Sequence, residues 1–195
     1  VFFVMGGTGK IVSELGNLLN SIGVNIRLNT TIEKIKIDNF KINEVIDNHG
    51  KSYKADIYIS NMDPLYLYNN LLSTKNNPYI YFKKNFSKTS MGLFVLFFGT
   101  KKKYENIKHH TIIFGKEYKM LLKKIFNGNK LPTDISIYLH RPTATDNSFA
   151  PRNCDSFYAL VPVPNLKSAI NWKKDANFFK DHVIDVLSKK VLPNL

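Results

Sequence analysis

Met5-Gly6-Gly7-Thr8-Gly9-Lys10 opens the decisive stretch, and Ile11, Leu15, Leu18, Leu19 and Ile22 follow it at helical spacing before Gly23. That spacing gathers the five aliphatic side chains on one side of a helix, and Gly23 suits the left-handed residue just past its end. The stretch therefore predicts an amphipathic helix over 10–22. Three glycines leading into a helix also invite two phosphate-binding readings, and both fail on spacing. A phosphate loop needs a glycine five residues before Gly9 and a Ser or Thr after the lysine, whereas Val4 and Ile11 stand there. Read as a dinucleotide fingerprint, Gly7-Thr8-Gly9-Lys10-Ile11-Val12 lacks the third glycine that lets helix and strand pack closely. What remains is a tight strand-to-helix turn.

Working outward, Val24, Ile26 and Leu28 alternate as in a strand, Ile32, Ile35 and Ile37 do so less regularly, and Tyr53, Ala55, Ile57 and Ile59 alternate again after the turn signal Asn48-His49-Gly50. Asp63-Pro64 supplies an N-cap and a first-turn proline for a helix through about Leu72. Residues 1–72 thus predict a helix packed on a mixed or antiparallel sheet. The texture changes beyond Asn76: Met91–Phe98 is a continuous apolar run suited to a strand buried on both faces, and Ile135–Leu139 and Phe157–Val161 are further strands. Helices are predicted at 116–127 and 175–191, the latter burying Phe179, Val183, Val186, Leu187 and Val191. The fold class is α/β, with a second mixed sheet and helices in a second domain over 73–195.

The chain has 195 residues, 44% of them hydrophobic, enough for one sizeable core or parts of two domains. A formal charge of +13 would suit a polyanionic partner if the lysines converged. They recur instead along the whole length, in pairs such as Lys83-Lys84 and Lys123-Lys124 and the triplet Lys101–Lys103, which reads as a solvated surface. Cys154 is the single cysteine, which excludes an internal disulfide and any multi-cysteine metal site. The apolar run at Leu93–Phe98 is far short of the ~20 residues a membrane-spanning helix needs. The start at Val1-Phe2-Phe3-Val4, without methionine or polar lead, reads as a truncation.

Candidate chemistry is sparse. His49, His109, His110, His140 and His182 form no nucleophile or metal-ligand spacing, and successive residues of an extended chain point to opposite faces, so a His109–His110 metal pair is not expected. His140-Arg141-Pro142-Thr143 reads as a loop anchor at a strand end rather than a catalyst. On helix 116–127, Tyr118, Leu121, Leu122, Ile125 and Phe126 share a face, with Lys116, Lys119, Lys123 and Lys124 beside or opposite it. Such a helix covers a core or lies in a membrane interface with its lysines on anionic headgroups.

Two stretches resemble a known family. Met5-Gly6-Gly7-Thr8-Gly9 with its helix, Gly23–Thr30, and Ala55-Asp56 through Ser60-Asn61-Met62-Asp63-Pro64 are shared in outline by flavin amine oxidases. His109-His110-Thr111-Ile112-Ile113-Phe114-Gly115, Ser136–Thr143, Phe149-Ala150-Pro151 and Phe157–Leu166 resemble the bacterial and fungal type of phytoene desaturase in particular. The resemblance covers nearly the whole chain but only the central part of a family member. The family's three-glycine fingerprint would lie upstream of Val1, and its C-terminal flavin-contacting segment beyond Leu195.

The resemblance implies an FAD-dependent oxidoreductase that desaturates a linear carotenoid precursor such as phytoene, with residues 1–72 contributing part of the FAD-binding domain. In relatives, the segment matching Thr31-Ile32-Glu33 runs beside the FAD adenine, which makes Ile32 the principal cofactor-binding candidate and Ser60 and Asn61 weaker ones. No catalytic residue and no metal ligand is assigned. A polyene offers no charge to grip, so its site is expected to be an apolar tunnel, with Met91–Phe98, Phe157, Tyr158 and Leu160 as candidate walls. Because that substrate lives in lipid, the resemblance also implies a cytoplasmic protein attached peripherally to a membrane surface through helix 116–127. The rivals are a carotenoid oxidoreductase acting on a shorter precursor or another bond, and a non-enzymatic basic module binding membrane or nucleic acid. Nucleic acid is not expected, because the aromatics fall on packing stripes. With the pyrophosphate-binding turn outside it, the 195-residue chain is expected to bind FAD poorly by itself.

Overall fold

A computed structural model describes residues 2–72 and 89–195. The Lys83-Lys84 pair, the change of texture beyond Asn76 and the expected start of a second domain at residue 73 lie outside the described residues. The chain divides into two compact units, Val1–Glu14 with Thr89–Leu195, and Leu15–Lys88. Helix α1 (Thr8–Ser21) begins in the first and ends in the second.

The smaller unit is built on an antiparallel sheet, β1 (Ile32–Asp38), β2 (Lys41–Asp47) and β3 (Ser52–Tyr53), in that spatial order. β1 and β2 are joined through Asn39 and Phe40, both at positive φ (46° and 62°), the conformation of a two-residue hairpin turn whose twist matches the strands. Asp47 fixes the next turn: its carboxylate accepts the His49 and Lys51 N–H groups (2.9 Å each) and the Tyr53 hydroxyl (2.7 Å). Helix α2 (Pro64–Tyr66, continuing as a π turn over Leu67–Leu71) starts as expected, with Asp63 Oδ1 accepting the Tyr66 N–H at 2.9 Å.

Three expectations for this region are corrected. Residues 24–28 form no strand, and of the 53–59 segment only Tyr53 pairs, in the short strand Ser52–Tyr53. Alternation gives a strand only where a neighbour supplies hydrogen bonds, and among the described residues neither 24–28 nor 55–59 has a strand partner. Helix α1 has no buried residue, and Leu15 and Leu18 of its apolar stripe are more than half exposed, so the helix does not bury that stripe as a core helix would.

The larger unit carries a four-stranded sheet, β4 (Gly92–Thr100), β5 (His110–Ile113), β6 (Ile137–His140) and β7 (Asp155–Val163), in the order β4-β7-β6-β5. The second sheet stands as expected, but every ladder in it is antiparallel rather than mixed. One face packs on α4 (Trp172–Lys190), whose Phe179, Val183 and Leu187 are fully buried against Ile137, Leu139, Phe157, Ala159 and Val161. Val186 and Val191, also expected in that stripe, are partly buried against the same core. Asn171 caps the helix by accepting the Lys173 N–H, and Trp172 stacks on Phe94 with ring centroids 5.7 Å apart. Helix α3 (Tyr118–Asn127) buries Leu121 and Ile125.

The Met91–Phe98 run is not buried on both faces. Its strand alternates: Phe94, Leu96 and Phe98 pack against the core, while Leu93, Val95 and Phe97 are 54%, 39% and 75% exposed. A continuous apolar run carries no period and therefore cannot report which of its faces is covered.

Candidate functional site

Strand pairing fixes what the uncovered face contains, because residues directly opposite in a ladder share a face. Val95 pairs with Leu160, Leu160 with Tyr138, and Tyr138 with Ile112; one row on, Phe97 pairs with Tyr158, Tyr158 with His140, and His140 with His110. The face thus runs from an apolar field of Leu93, Val95, Phe97, Leu160 and Ile112 to a polar end of Tyr138, Tyr158, His140 and His110. Of the expected wall residues, Leu93, Val95, Phe97, Tyr158 and Leu160 lie on it. Phe157 does not: it is 3% exposed and stacked on Phe98 in the core.

At the polar end, burial and the Tyr158 hydroxyl push the Tyr138 phenol up to about 12. Burial first, then the neighbouring imidazoles, pushes His140 down to about 4 and lowers His109, so both rings are neutral near pH 7. The expectation that His109 and His110 point apart is overturned. Their ring centroids are 4.5 Å apart, and His109 lies 4.6 Å from His140. His109 precedes the first residue of β5, so the face alternation of a regular strand does not govern it.

The turn that opens the sequence docks beside this end. Gly6 and Gly7 have φ of +87° and +81°; the Gly6 N–H donates to Asp146 Oδ2 at 3.0 Å, and a Cβ on Gly7 would stand 2.9 Å from Phe149 Cζ. The glycines therefore serve turn geometry and close packing on residues 146–149, as the failed phosphate spacing suggested. Phe3 follows through, packing 4.5 Å from the His109 ring.

Beneath the polar end, Arg141 and Asp155 form a buried pair, with side chains 6% and 0% exposed. Asp155 Oδ2 accepts from Arg141 Nε (2.9 Å) and the Tyr104 N–H (2.7 Å), while Oδ1 accepts the Thr143 hydroxyl (2.6 Å). Arg141 Nη1 donates to the Ile107 carbonyl and the Arg141 N–H to the His109 carbonyl. The 140–143 motif is thus a loop anchor, and what it anchors is the segment carrying His109.

In the smaller unit, Ile32, Ser60 and Asn61 line one cavity of about 290 Å³, together with Ile35, Val45 and Tyr58. The walls are aliphatic and the polar groups few, a lining that fits a planar aromatic base. Among the described residues, β1 is an edge strand. Thr31 exchanges hydrogen bonds with Asn48 on the β2 side, which turns the backbone groups of Ile32 toward the open edge.

On α3, Tyr118, Met120 and Phe126 are exposed among Lys116, Lys119, Lys123 and Lys124, and Phe114 stands beside Tyr118, also exposed. Among the described residues, no helix is long and apolar enough to cross a membrane.

The chain is similar along its full length to curated phytoene desaturases. It is 34% identical to a lycopene-forming enzyme of Pseudescherichia vulneris, 36% to one of a Paracoccus species, and 33% to a neurosporene-forming enzyme of Rhodobacter capsulatus. The chain belongs to the phytoene desaturase family. It spans about 40% of the length of these relatives. No family model matches it. An oxidoreductase of Methanosarcina mazei, solved by crystallography, superimposes on 97% of this chain and 40% of its own with a TM-score of 0.68 at 15% identity, which shows a shared fold.

Proposed function

We propose that this chain forms part of the flavin site and one wall of the substrate site of a carotenoid desaturase acting on a linear precursor such as phytoene. The observation that carries the reading is the sheet face left uncovered among the described residues, where Leu93, Val95, Phe97 and Ile112 are exposed beside the half-buried Leu160 as an apolar field, in a chain whose relatives are named phytoene desaturases. A hydrocarbon of that kind can be held only by apolar contact and shape, which is what this face offers. Lycopene-forming and neurosporene-forming relatives stand at similar identity, so the number of double bonds introduced is left open.

Removing hydrogen from an unactivated hydrocarbon needs a hydride acceptor that side chains cannot supply, and bound FAD would supply it. The residues proposed to hold its adenine are Ile32, through backbone groups at the open edge of β1, with Ser60 and Asn61 at the same cavity. The role of the sheet face is to position the substrate and keep water out.

Because the substrate partitions into lipid, the proposal includes peripheral docking through α3. Its exposed Tyr118, Met120 and Phe126, with Phe114 just before the helix, would enter the interface, and the surrounding lysines would meet anionic headgroups.

The complete protein, supplied with FAD and with phytoene in liposomes, is expected to yield products of longer conjugation, separable by chromatography. Recovery of unchanged phytoene from flavin-loaded protein rejects phytoene as substrate. Flotation with anionic vesicles tests the docking, which fails if the protein stays at the bottom of the gradient.

A further inference from the structure

The cluster at the polar end of the sheet has a geometry that neither polyene binding nor the Arg141–Asp155 anchor requires. One ring nitrogen from each of His109, His110 and His140 lies within 4.8 Å of the others. We propose that these three imidazoles form a binding site for a divalent first-row transition ion of the zinc class, with a further coordination position left for water.

The backbone brings them together from two neighbouring strands. His110 and His140 are partners in the β5–β6 ladder, and the Arg141 N–H bonded to the His109 carbonyl (2.9 Å) carries the pairing one residue further. Two of the rings are oriented by groups that are not ligands. His109 Nδ1 is 2.6 Å from Thr145 Oγ1, and His110 Nδ1 is 2.6 Å from the Tyr138 hydroxyl. In each case Nδ1 is engaged outward and Nε2 is left for the cluster, the arrangement by which outer partners set the tautomer and aim of metal-bound histidines.

The third ring is short of partners. His140 Nε2 lies 2.7 Å from His109 Nε2, while the buried His140 Nδ1 has no hydrogen-bond partner among the described residues. Two nitrogens each ~2.0–2.1 Å from a tetrahedral zinc stand ~3.3 Å apart, so the pair needs to open by only ~0.6 Å to admit the ion. A set of imidazoles selects zinc-like ions over magnesium or calcium, which require oxygen donors. His110 is exposed, which gives the ion an entry path.

The test uses the complete, untagged protein, stripped with a chelator and titrated with Co²⁺ alone. One equivalent should produce the intense visible ligand-field bands of a four-coordinate Co²⁺ site, and Zn²⁺ should abolish them. His110→Gln replaces an exposed ring and should preserve the fold, checked by the far-ultraviolet circular dichroism of the protein, yet remove the bands. Tyr138→Phe should weaken binding about 10–100-fold by releasing the His110 ring. His182→Gln, whose ring meets the Thr133 carbonyl far along the chain, should change nothing. Absence of bands at stoichiometric Co²⁺, or bands that survive His110→Gln, overturns the proposal and leaves the three rings as a hydrogen-bonded cluster. None of these readouts depends on flavin or polyene, so failure here leaves the desaturase reading untouched.

Discussion

Arg141→Met isolates the contribution of the anchor beneath the histidine cluster. The Asp155 side chain is fully buried, and of the three donors it accepts only Arg141 is charged. Removing that charge leaves a carboxylate held by one amide and one hydroxyl, and breaking a buried pair in this way costs about 3–5 kcal/mol. By contrast, the exposed Lys189–Asp185 pair on α4 is worth at most ~0.5 kcal/mol. Trp172 is the only tryptophan of the chain and stacks on Phe94 in the same unit, so its emission follows the unfolding of that unit. Taking a urea dependence of about 1.5 kcal/mol per molar, Arg141→Met should lower the midpoint by about 2–3 M, and Lys189→Ala by less than about 0.4 M. Adding Asp155→Leu to Arg141→Met should recover much of the loss, since the isolated buried charge is then gone. A shift below about 0.5 M for Arg141→Met, or a double variant as unstable as the sum of the singles, would refute the reasoning.

Gly7→Ala meets both a positive φ and a contact at 2.9 Å with Phe149, and should cost about 1–3 kcal/mol in the same urea titration, whereas Gly9→Ala, with open space around it, should be nearly neutral. Amide hydrogen bonds from Glu117 and Lys116 hold the Asp134 carboxyl below its usual range, and hydrogen bonds from Ser148 do the same for Asp146. The stability these groups contribute is therefore present above their unfolded values, near pH 4, and lost as the pH falls through their folded ones; Asp134→Asn with Asp146→Asn should flatten the acid limb of an unfolding curve. Phe97 and Phe98 are neighbours on opposite faces, so in the complete protein Phe97→Ala should lower kcat/KM for the polyene with little change in Tm, while Phe98→Ala should cost about 2–4 kcal/mol of stability; equal melting losses would argue against the assignment of faces.

What could be read from sequence was what depends on local period and capping. Phe179, Val183 and Leu187 advertised the buried stripe of α4, and Asp63-Pro64 the start of α2, because each signal lies within one or two turns of chain. The β1–β2 hairpin went unread, since its turn places Phe40, a residue that rarely adopts positive φ, where Asn-Gly would have announced it. The histidine cluster was illegible for a different reason. It depends on the register that sets His110 opposite His140 and on His109 lying outside the regular strand, and both are settled by pairing between segments about 30 residues apart. The overlooked signal was His140 at the end of one strand and His109-His110 at the start of another, which an antiparallel pairing would bring to one edge. Ile32, Ser60 and Asn61 were nominated by resemblance alone, and a shared cavity is what the structure adds to them.

The two faces of the larger sheet pose different energetic problems. On the α4 side the chain covers itself, with Ile137, Leu139, Ala159 and Val161 fully buried. On the other side Leu93, Val95, Phe97 and Ile112 remain between 39% and 75% exposed. Complete burial of one such side chain is worth about 1.5–3 kcal/mol, so covering what is still open on these four amounts to roughly 3–7 kcal/mol, comparable with the net stability of a domain. A soluble sheet seldom leaves that much unclaimed. An apolar ligand lying along the face would gain this term without satisfying any donor or acceptor, which is the only kind of recognition an uncharged polyene can take part in. The same field ends at Tyr138, Tyr158, His140 and His110, where burying a hydrocarbon would desolvate polar groups at a cost of about 1–3 kcal/mol each. Under the proposed function, attraction along the apolar rows and a penalty at the polar one would together give the face a direction and an end, and so a means of setting how far a long substrate slides across it.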